Sequence, residues 1–430
     1  MKHTINERGV LEIGGVDVST LARQYGTPLY VYDVGRIRDN ARAFVETFER
    51  EGITAQVAYA SKAFSSVAMV QVAKQEKLSL DVVSEGELHT ALEAGFPPEK
   101  IHMHGNNKSR NELEMAVKAG IGCVVVDNFH EIEVLKDILE EKDTSMDVLL
   151  RVTPGIEAHT HDYILTGQED SKFGFDLTSG QADAAFVSLQ NVNRLTVKGL
   201  HCHIGSQIFE TSGFLMATRK LFDIMDEWKR NHGFVADVLN LGGGFGIRYT
   251  DEDDPLSLDE YATSLVKEVK HQSSFRNYPL PEIWIEPGRA IVGDAGLTLY
   301  EAGSIKDIDG VRTYLSVDGG MTDNIRPALY DAKYDIVAAE RMNEEEEKTY
   351  SIAGKCCESG DMLIWDADLP MIRPGDLLAV FSTGAYGYSM ANNYNRFPKA
   401  AVAFVENKTH QLAVRREAYE EVTRFDLSIE

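Results

Sequence analysis

The feature that most constrains the fold is a regular alternation of short apolar runs with amphipathic stretches over about 250 residues. Between the runs lie helical candidates such as Ser66–Gln75, Gly86–Ala94, Arg110–Ala119 and Phe214–Asn231. The apolar runs with strand character are Gln56–Ala60, Leu78–Val83, Ile101–His104, Gly122–Val126, Val148–Val152, Val197–His203, Val238–Leu241 and Ile283–Ile285. About eight strand–helix units of this length are typical of a (β/α)8 barrel, whose strands are covered on both faces and therefore apolar throughout. A doubly wound open sheet is the alternative.

The flanking regions predict a second domain that is mostly β. Near the N-terminus, Val10–Ile13 and Leu29–Tyr32 have strand character, with a short helix at Val18–Tyr25 between them. After Arg289 helical periodicity fades, and the strand candidates are Leu297–Ile305, Val311–Val317, Tyr350–Ala353, Leu377–Phe381, Ala400–Val405 and Gln411–Arg415. We therefore expect a barrel at residues 34–292, and a β domain made of residues 1–33 together with 293–430.

Composition limits the partners and the compartment. The 430 residues are 43% hydrophobic, enough for a sizeable core, and the net charge of -25 argues against nucleic acid or an anionic membrane as partner. No apolar stretch reaches the roughly 18 residues of a membrane helix, and Met1–Thr20 shows no secretory signal. The four cysteines form no CxxC pair, which suggests a reducing compartment. We expect a soluble, cytoplasmic protein.

Polar residues follow the apolar runs, at the face where barrel enzymes collect their active sites. Lys62 follows the first run, and the later runs end at His203, at three glycines and at a Glu286/Arg289 pair. A lysine in such a place is either a solvated cation or an amine that forms an imine with a carbonyl group, which requires partial desolvation. The shared rim favours the second interpretation.

Two of these segments suggest an anionic, heterocyclic ligand. Gly242-Gly243-Gly244 is either a tight turn or a phosphate loop, and its place after the seventh strand favours phosphate. In Glu286-Pro287-Gly288-Arg289 the carboxylate could hold a proton on a heterocyclic nitrogen and the guanidinium could clamp an anion. A salt bridge at the rim is the alternative for that pair.

The histidine and cysteine motifs are less specific. His201 and His203 face the same way if the strand alternates, but the sequence offers no convincing third ligand for a metal, so stacking on an aromatic cofactor suits His203 better. Cys202 is expected in the core. Beside acidic residues, the Cys356-Cys357 pair makes poor nucleophiles, although a thiol that donates a proton must keep it.

The ordered set of motifs resembles the diaminopimelate decarboxylase family, within the alanine racemase-like (fold type III) pyridoxal-phosphate enzymes. The resemblance runs from about Tyr30 to Val405. It is carried by Tyr59-Ala60-Ser61-Lys62, Ser171-Lys172-Phe173-Gly174, His203-Ile204-Gly205-Ser206-Gln207, Gly242-Gly243-Gly244, Glu286-Pro287-Gly288-Arg289, Asn324-Ile325-Arg326-Pro327-Ala328-Leu329-Tyr330, Cys357-Glu358-Ser359-Gly360-Asp361 and Gly384-Ala385-Tyr386-Gly387-Tyr388.

The resemblance implies pyridoxal 5'-phosphate as cofactor and gives each motif a role. Lys62 would hold the cofactor covalently, His203 would stack on its ring, and Glu286 would pair with the pyridine nitrogen. The phosphate would be held by Ser206, Gly242, Gly243, Gly244, Pro287, Gly288, Arg289 and Tyr386. The substrate would be bound by Arg289, Arg326, Tyr330, Glu358 and Tyr386.

The resemblance also implies a homodimer, in which Cys357 enters the neighbouring subunit's site and donates a proton. Lys355-Cys356 precedes Cys357 where relatives more often have Gly-Pro, but the Cys-Glu-Ser frame favours Cys357 over Cys356 as the donor. The predicted reaction is decarboxylation of meso-diaminopimelate to L-lysine. The alternatives are a decarboxylase for another basic amino acid or a polyamine precursor, a racemase, and a non-catalytic barrel that binds the cofactor.

Overall fold

A computed structural model describes residues 3–156 and 171–429. The chain divides into two compact units. The first, called here the barrel unit, comprises Asn40–Gly246 and Pro255–Ala290. The second, called the β unit, comprises Met1–Asp39, Ile247–Asp254 and Ile291–Glu430. Both termini and the short 247–254 segment therefore belong to the β unit.

Four strands and one helix precede the barrel: β1 (Thr4–Ile5), β2 (Leu11–Ile13), β3 (Val16–Asp17), α1 (Val18–Tyr25) and β4 (Leu29–Asp33). The strands of the barrel unit follow as β5 (Ala55–Ala60), β6 (Ser79–Val82), β7 (Ile101–Met103), β8 (Cys123–Val126), β9 (Met146–Thr153), β10 (Phe175–Asp176), β11 (Leu195–His201), β12 (Val238–Asn240) and β13 (Glu282–Ile285).

Eight parallel strands close into a ring in this part of the described chain. Their order is β9-β11-β12-β13-β5-β6-β7-β8, and pairing of β8 with β9 completes the circuit, while β10 adds to β9 at the rim. In an open sheet, β8 and β9 would be at opposite edges and would not pair with each other. The predicted barrel is therefore confirmed.

The helices around the barrel begin at residues that the sequence specifies. Ser66, Ser84, Ser109 and Asn128 each accept a hydrogen bond from the backbone N–H three residues later, which fixes the first turn of the helix that follows. The helices are α2 (Val34–Arg50), α3 (Val67–Gln75), α4 (Glu85–Glu93), α5 (Arg110–Ala119), α6 (Phe129–Glu141), α7 (Gln181–Gln190), α8 (Ser212–His232) and α9 (Leu258–Phe275).

A buried ion pair joins the loop after β7 to the first turn of α6, which follows the loop after β8. The Lys108 Nζ donates to the carbonyl oxygens of Gly105 and Val125, at 2.8 and 2.7 Å, and lies 2.8 Å from Glu131 Oε1. Both charged side chains are 1% exposed. Because the loops carry rim residues, this pair helps to set the shape of the barrel mouth.

The β unit is built around β4, which lies between β14 and β20 in a large sheet. The expected contribution of an N-terminal strand to the β domain is thus confirmed. The remaining elements are α10 (Arg289–Val292), β14 (Gly296–Ile308), β15 (Arg312–Val317), α11 (Arg326–Tyr330), β16 (Ile336–Ala338), β17 (Lys348–Ala353), β18 (Met362–Leu369), β19 (Leu377–Val380), β20 (Ala401–Glu406), β21 (Thr409–Val414) and α12 (Tyr419–Val422).

Four strands in the described part of the β unit escaped the sequence analysis, namely the short β1 and β3 near the N-terminus, and β16 and β18. Strand β18 pairs antiparallel with β17, yet it carries exposed Trp365, Asp366 and Asp368, which weaken its apolar pattern. Among residues 3–156 and 171–429, no helix combines the length and apolarity needed to cross a membrane.

Candidate active site

Lys62 lies in a tight turn at the carboxyl end of β5. The turn is a short 3-10 helix, Ser61–Ala63, in which the lysine side chain is exposed while its two neighbours are buried. The hydroxyl of Tyr59 donates to the carbonyl of Phe64 at 2.7 Å and closes the turn from below. The local fold therefore presents the amine of Lys62 at the rim of the barrel.

The loop after β13 packs directly against this turn. A Cβ atom on Gly288 would lie 3.0 Å from the Cβ atoms of both Ala60 and Ala63, so a larger residue would push the turn away. The N–H of Ala60 also donates to the carbonyl of Pro287 at 3.3 Å. These contacts bring Pro287 and Gly288 to the base of the lysine turn.

Arg289, which follows β13, reaches the loop after β11, so its side chain joins the two loops on either side of the glycine loop. Its Nη2 donates to Ser206 Oγ at 2.9 Å, and the residue is only 5% exposed. A buried guanidinium is well suited to an anionic partner. Two residues predicted to bind a phosphate or carboxylate therefore lie side by side.

The three glycines are required because backbone surrounds them. A Cβ atom on Gly243 would lie 2.2 Å from the carbonyl oxygen of Glu286, and one on Gly244 would lie 2.4 Å from that of Gly205. Gly242 also has a positive φ of 68°. The loop thus fits closely between the ends of β11 and β13.

Two amides of the glycine loop already have protein acceptors. Gly242 N–H donates to Asn240 Oδ1 at 2.9 Å, and Gly243 N–H donates to His203 Nδ1 at 3.2 Å. Burial, with the nearby Lys62 charge, holds the pKa of His203 well below its usual value, so its ring is neutral and can accept. A phosphate bound here would need other donors, and Ser206 is one on the neighbouring loop.

Glu286 is held from several sides. Its Oε1 accepts from Asn240 Nδ2 at 2.6 Å and lies 3.0 Å from His104 Nε2, while its Oε2 lies 3.1 Å from His201 Nε2. Burial alone would raise the pKa of Glu286, but the charge on His104 and the hydrogen bonds of both histidines outweigh it and hold that pKa well below the usual range. The carboxylate is therefore ionised although it is only 6% exposed.

The two histidines differ in their surroundings. Burial lowers the pKa of His201 to about 4. Burial acts in the same direction on His104, but the carboxylates of Asp81 and Glu286 outweigh it and raise the pKa of His104. Asp81 Oδ1 lies 3.7 Å from His104 Nε2, and burial raises the pKa of Asp81.

His104, His201 and Glu286 also have the composition of a metal site. One ligand atom from each lies within 4.8 Å of the other two. His104 supplies the further ligand that the sequence analysis could not find for His201, because it follows β7, a strand much earlier in the chain. Glu286 contacts His104 at 3.0 Å and His201 at 3.1 Å. These direct contacts explain why the three side chains lie together as a network of one carboxylate and two histidines.

The Ser171–Gly174 motif is fastened to the ends of β8 and β9. Gly174 N–H donates to the carboxylate of Asp127 at 2.7 and 3.1 Å, and Thr153 Oγ1 donates to the Phe173 carbonyl at 2.8 Å. The buried Arg151 guanidinium lies over the Phe173 ring at 4.4 Å. The motif therefore extends the rim on the side of β9.

In the β unit, Arg326 is enclosed by tyrosines. Its Nη1 donates to Tyr249 Oη at 3.0 Å and to Tyr334 Oη at 2.7 Å, and its Cζ lies 6.0 Å from the ring centre of Tyr386. Tyr330, at the end of α11, is half-buried. Four of the predicted substrate residues, Arg326, Tyr330, Glu358 and Tyr386, belong to the same unit as Tyr249, which lies in the 247–254 segment.

Side chains bind the backbone of the cysteine loop in the β unit. Cys356 N–H donates to Asp361 Oδ2 at 2.8 Å, and Cys357 N–H donates to Asn395 Oδ1 at 2.8 Å. Cys356 is buried, and burial, with Asp361, raises its pKa to about 11, whereas Cys357 and Glu358 are exposed. The exposed thiol is that of Cys357, the cysteine that the Cys-Glu-Ser segment favoured as the proton donor.

Sequence reasoning missed several polar residues around these groups. His104, Asp81 and Asn240 surround Glu286, and Tyr249 and Tyr334 surround Arg326. The sequence analysis took His104 as the last residue of a strand, whereas β7 ends at Met103 and His104 is the first residue of the rim. The tyrosines carried no local signal.

Comparison with known proteins gives a consistent result. Residues 34–293 match the model of the pyridoxal-dependent decarboxylase family, pyridoxal binding domain. The chain is 62% identical to a diaminopimelate decarboxylase of Bacillus subtilis over 98% of its own length and 96% of that protein's, and 64% identical to that of Bacillus methanolicus over 96% and 95%.

Solved structures agree with the sequence relatives. The diaminopimelate decarboxylase of M. jannaschii, also solved with L-lysine, superimposes with a TM-score of 0.93 at 34% identity, covering 99% of this chain and 98% of that one. A lysine/ornithine decarboxylase from Vibrio vulnificus, solved with putrescine, has a TM-score of 0.75 at 21% identity and covers 91% and 97%. The second likeness shows the shared fold alone.

Proposed function

Because this chain belongs to the diaminopimelate decarboxylase family of pyridoxal-dependent decarboxylases, we propose that its reaction is decarboxylation of meso-2,6-diaminopimelate to L-lysine and CO2. It is an enzyme of lysine biosynthesis, and pyridoxal 5'-phosphate is its cofactor. The observation that carries this chemistry is the ionised carboxylate of Glu286, buried at the same barrel rim that presents Lys62.

The residues of the barrel unit fit the cofactor. A ring nitrogen needs an anionic partner to stay protonated, and Glu286 is kept ionised. A phosphate needs donors at a compact loop, and Ser206 and Arg289 lie together beside the glycines. When bound, the cofactor supplies an electron-withdrawing ring that takes up the electrons left on the substrate carbon after CO2 departs.

We assign the remaining tasks to side chains of this chain. Lys62 would hold the cofactor through its amine and release it to the amino group of the substrate. Neutral His203, whose Nδ1 accepts from the Gly243 N–H, would pack on the ring, and Glu286 would hold the proton at the ring nitrogen. The phosphate contacts are assigned to Ser206, Gly242, Gly243, Gly244, Pro287, Gly288, Arg289 and Tyr386.

The substrate has an amino acid group at each end, so its distal end requires both a cation and an anion. Arg326 supplies a buried cation within a ring of tyrosines, and exposed Glu358 supplies an anion. We assign the distal end to these two residues, with Arg289, Tyr330 and Tyr386 as further contacts. A substrate with a single amine at its far end would leave Arg326 without a carboxylate partner.

We assign the final proton transfer to Cys357. Its thiol is exposed, while its backbone N–H is fixed by Asn395, so the donor is accessible and held in place. A positioned general acid contributes about 10²–10⁴-fold to rate. Cys357→Ala should therefore retain the cofactor and lose turnover by about that factor, whereas undiminished turnover would contradict the assignment.

The substrate assignment is tested by CO2 release. Purified enzyme loaded with the cofactor should release CO2 from meso-diaminopimelate and leave lysine, ornithine and arginine unchanged. Release from lysine or ornithine, without release from diaminopimelate, would replace the proposal with a decarboxylase for other basic amino acids. Cofactor binding without CO2 release from any of these would favour a non-catalytic barrel.

We further propose that the enzyme works as a two-fold dimer in which Cys357 of one subunit serves the barrel of the other. The proposal rests on the family resemblance and on the exposure of the thiol. Mixing Lys62→Ala chains with Cys357→Ala chains tests it, because only a mixed dimer could then contain one complete site. Random mixing should restore about a quarter of the wild-type activity; no recovery in verified mixed dimers would contradict sharing.

We also propose the cytoplasm as its location. All four cysteines are free in the structure, which suits a reducing compartment. Cell fractionation followed by activity assay is the test, and activity confined to an extracellular fraction would contradict it.

A further inference from the structure

The neighbours of the Glu286 carboxylate limit how a ligand can bind to it. Side chains from three other strands approach it: His104 after β7, His201 at the end of β11 and Asn240 at the end of β12. A carboxylate offers about four lone-pair positions. With two groups at Oε1 and one at Oε2, the remaining position lies on Oε2. The network therefore selects which oxygen can accept a further N–H.

The histidines in this network have different electrostatic surroundings. His201 Nε2 contacts the Glu286 carboxylate at 3.1 Å, and burial keeps that ring neutral, with a pKa of about 4. His104 Nε2 instead lies between two carboxylates, 3.0 Å from Glu286 and 3.7 Å from Asp81. A single nitrogen facing two carboxylates favours the protonated, cationic ring.

The other ionisable groups near His104 do not reverse this conclusion. Arg151 opposes a positive charge on His104, but its effect ranks below those of both carboxylates. His102 is neutral, since burial lowers its pKa to about 3. The ionisable groups that face His104 from neighbouring elements are Asp81, Glu87, His102, Arg151, His201 and Glu286.

We propose that His104 is a positioning residue that acts through Glu286: its positive charge, backed by Asp81, keeps Glu286 ionised and thereby keeps the proton on the cofactor's ring nitrogen. His201 and Asn240 have a different task, which is to orient the carboxylate. The inference rests on the proposed pairing of Glu286 with that nitrogen. It identifies a charge relay, Asp81–His104–Glu286, behind the ring.

The same substitution at the two histidines separates charge from hydrogen bonding. Glutamine can place an N–H near the position of Nε2 but cannot carry a charge, so His201→Gln exchanges one neutral donor for another and His104→Gln removes a cation. A cation beside a carboxylate lowers its pKa by about 1–3 units, which is about ten- to a thousandfold in the ratio of ionised to protonated acid. We expect His104→Gln to lower kcat about tenfold or more, with little change in KM, and His201→Gln to cost much less.

The direct readout is the ring nitrogen itself. The proteins are loaded with cofactor labelled with 15N in the ring, and the 15N chemical shift is recorded across pH. Wild type and His201→Gln should give the protonated signal, and His104→Gln should move toward the unprotonated one. Asp81→Asn, which weakens the same relay while leaving His104 in place, should shift the signal in the same direction by a smaller amount.

Two results would overturn the inference. One is a wild-type 15N signal in both His104→Gln and Asp81→Asn. The other is an equal loss of kcat in the two glutamine variants, which would indicate a structural effect. Borohydride trapping of the cofactor in each variant shows that the site is folded and loaded. Failure of the proposed function looks different, because wild type itself would then lack CO2 release or the protonated signal.

Discussion

The buried Lys108–Glu131 pair gives a prediction with a magnitude. In Lys108→Met the ammonium disappears, so the buried carboxylate of Glu131, the buried carbonyl of Val125 and the half-buried carbonyl of Gly105 all lose this donor. Removing one partner of a buried ion pair costs about 3–5 kcal/mol, because the other charge is left unpaired. Urea unfolding of the cofactor-free protein should show a loss of that size in the free energy of unfolding.

The loss should also depend on pH. Burial raises the pKa of Glu131 even with Lys108 present, and removing the cation raises it further. The folded state then binds a proton more tightly than the unfolded chain does, so stability falls as pH rises above the ordinary glutamate pKa of about 4.3. The deficit of Lys108→Met should therefore be smaller at about pH 5 than at about pH 8.

Two controls make this result interpretable. Lys118→Met, on the exposed face of α5, should change stability by no more than about 0.5 kcal/mol. The double variant Lys108→Met/Glu131→Leu removes both charges and should recover most of the loss. A deficit below about 1 kcal/mol that is the same at both pH values would refute the reasoning.

Two further predictions concern the site. In Gly243→Ala the new Cβ would lie 2.2 Å from the Glu286 carbonyl oxygen, so cofactor affinity should fall at least tenfold in a fluorescence titration of the cofactor-free protein. Gly86→Ala is the matched control and should bind the cofactor normally, because its Cβ would meet only a serine hydroxyl at 3.7 Å. A thiol reagent should modify Cys357 first and leave Cys356 until unfolding, because burial and Asp361 raise the Cys356 pKa to about 11. Normal affinity in Gly243→Ala, or early labelling of Cys356 found by mass spectrometry, would contradict the respective prediction.

Local sequence patterns were sufficient to predict most of the fold. Strand–helix alternation identified the barrel, and helix α1 has the predicted bounds, Val18–Tyr25. Strand β18 was missed because only some of its residues are buried, and exposed Trp365, Asp366 and Asp368 leave no clear alternation. The sequence predicts a strand or helix well where burial gives its residues a clear apolar pattern.

From local sequence patterns, the site residues were predictable only where a reactive side chain lies at the end of a strand. Lys62 and Glu286 lie within two residues of the ends of their strands, on the rim as expected. His104 was assigned to the last position of a strand, although β7 ends one residue earlier. Its importance comes from its contacts with Asp81 and Glu286, which lie in distant parts of the chain. No local sequence pattern predicts such contacts.

The most direct test of the account is the identity of the residue that carries the cofactor. The loaded enzyme is reduced with borohydride, digested, and the modified peptide is sequenced. The account predicts one modified residue, Lys62, together with loss of the CO2-releasing activity. Modification of a different lysine, or recovery of unmodified Lys62 from fully inactivated enzyme, would contradict it.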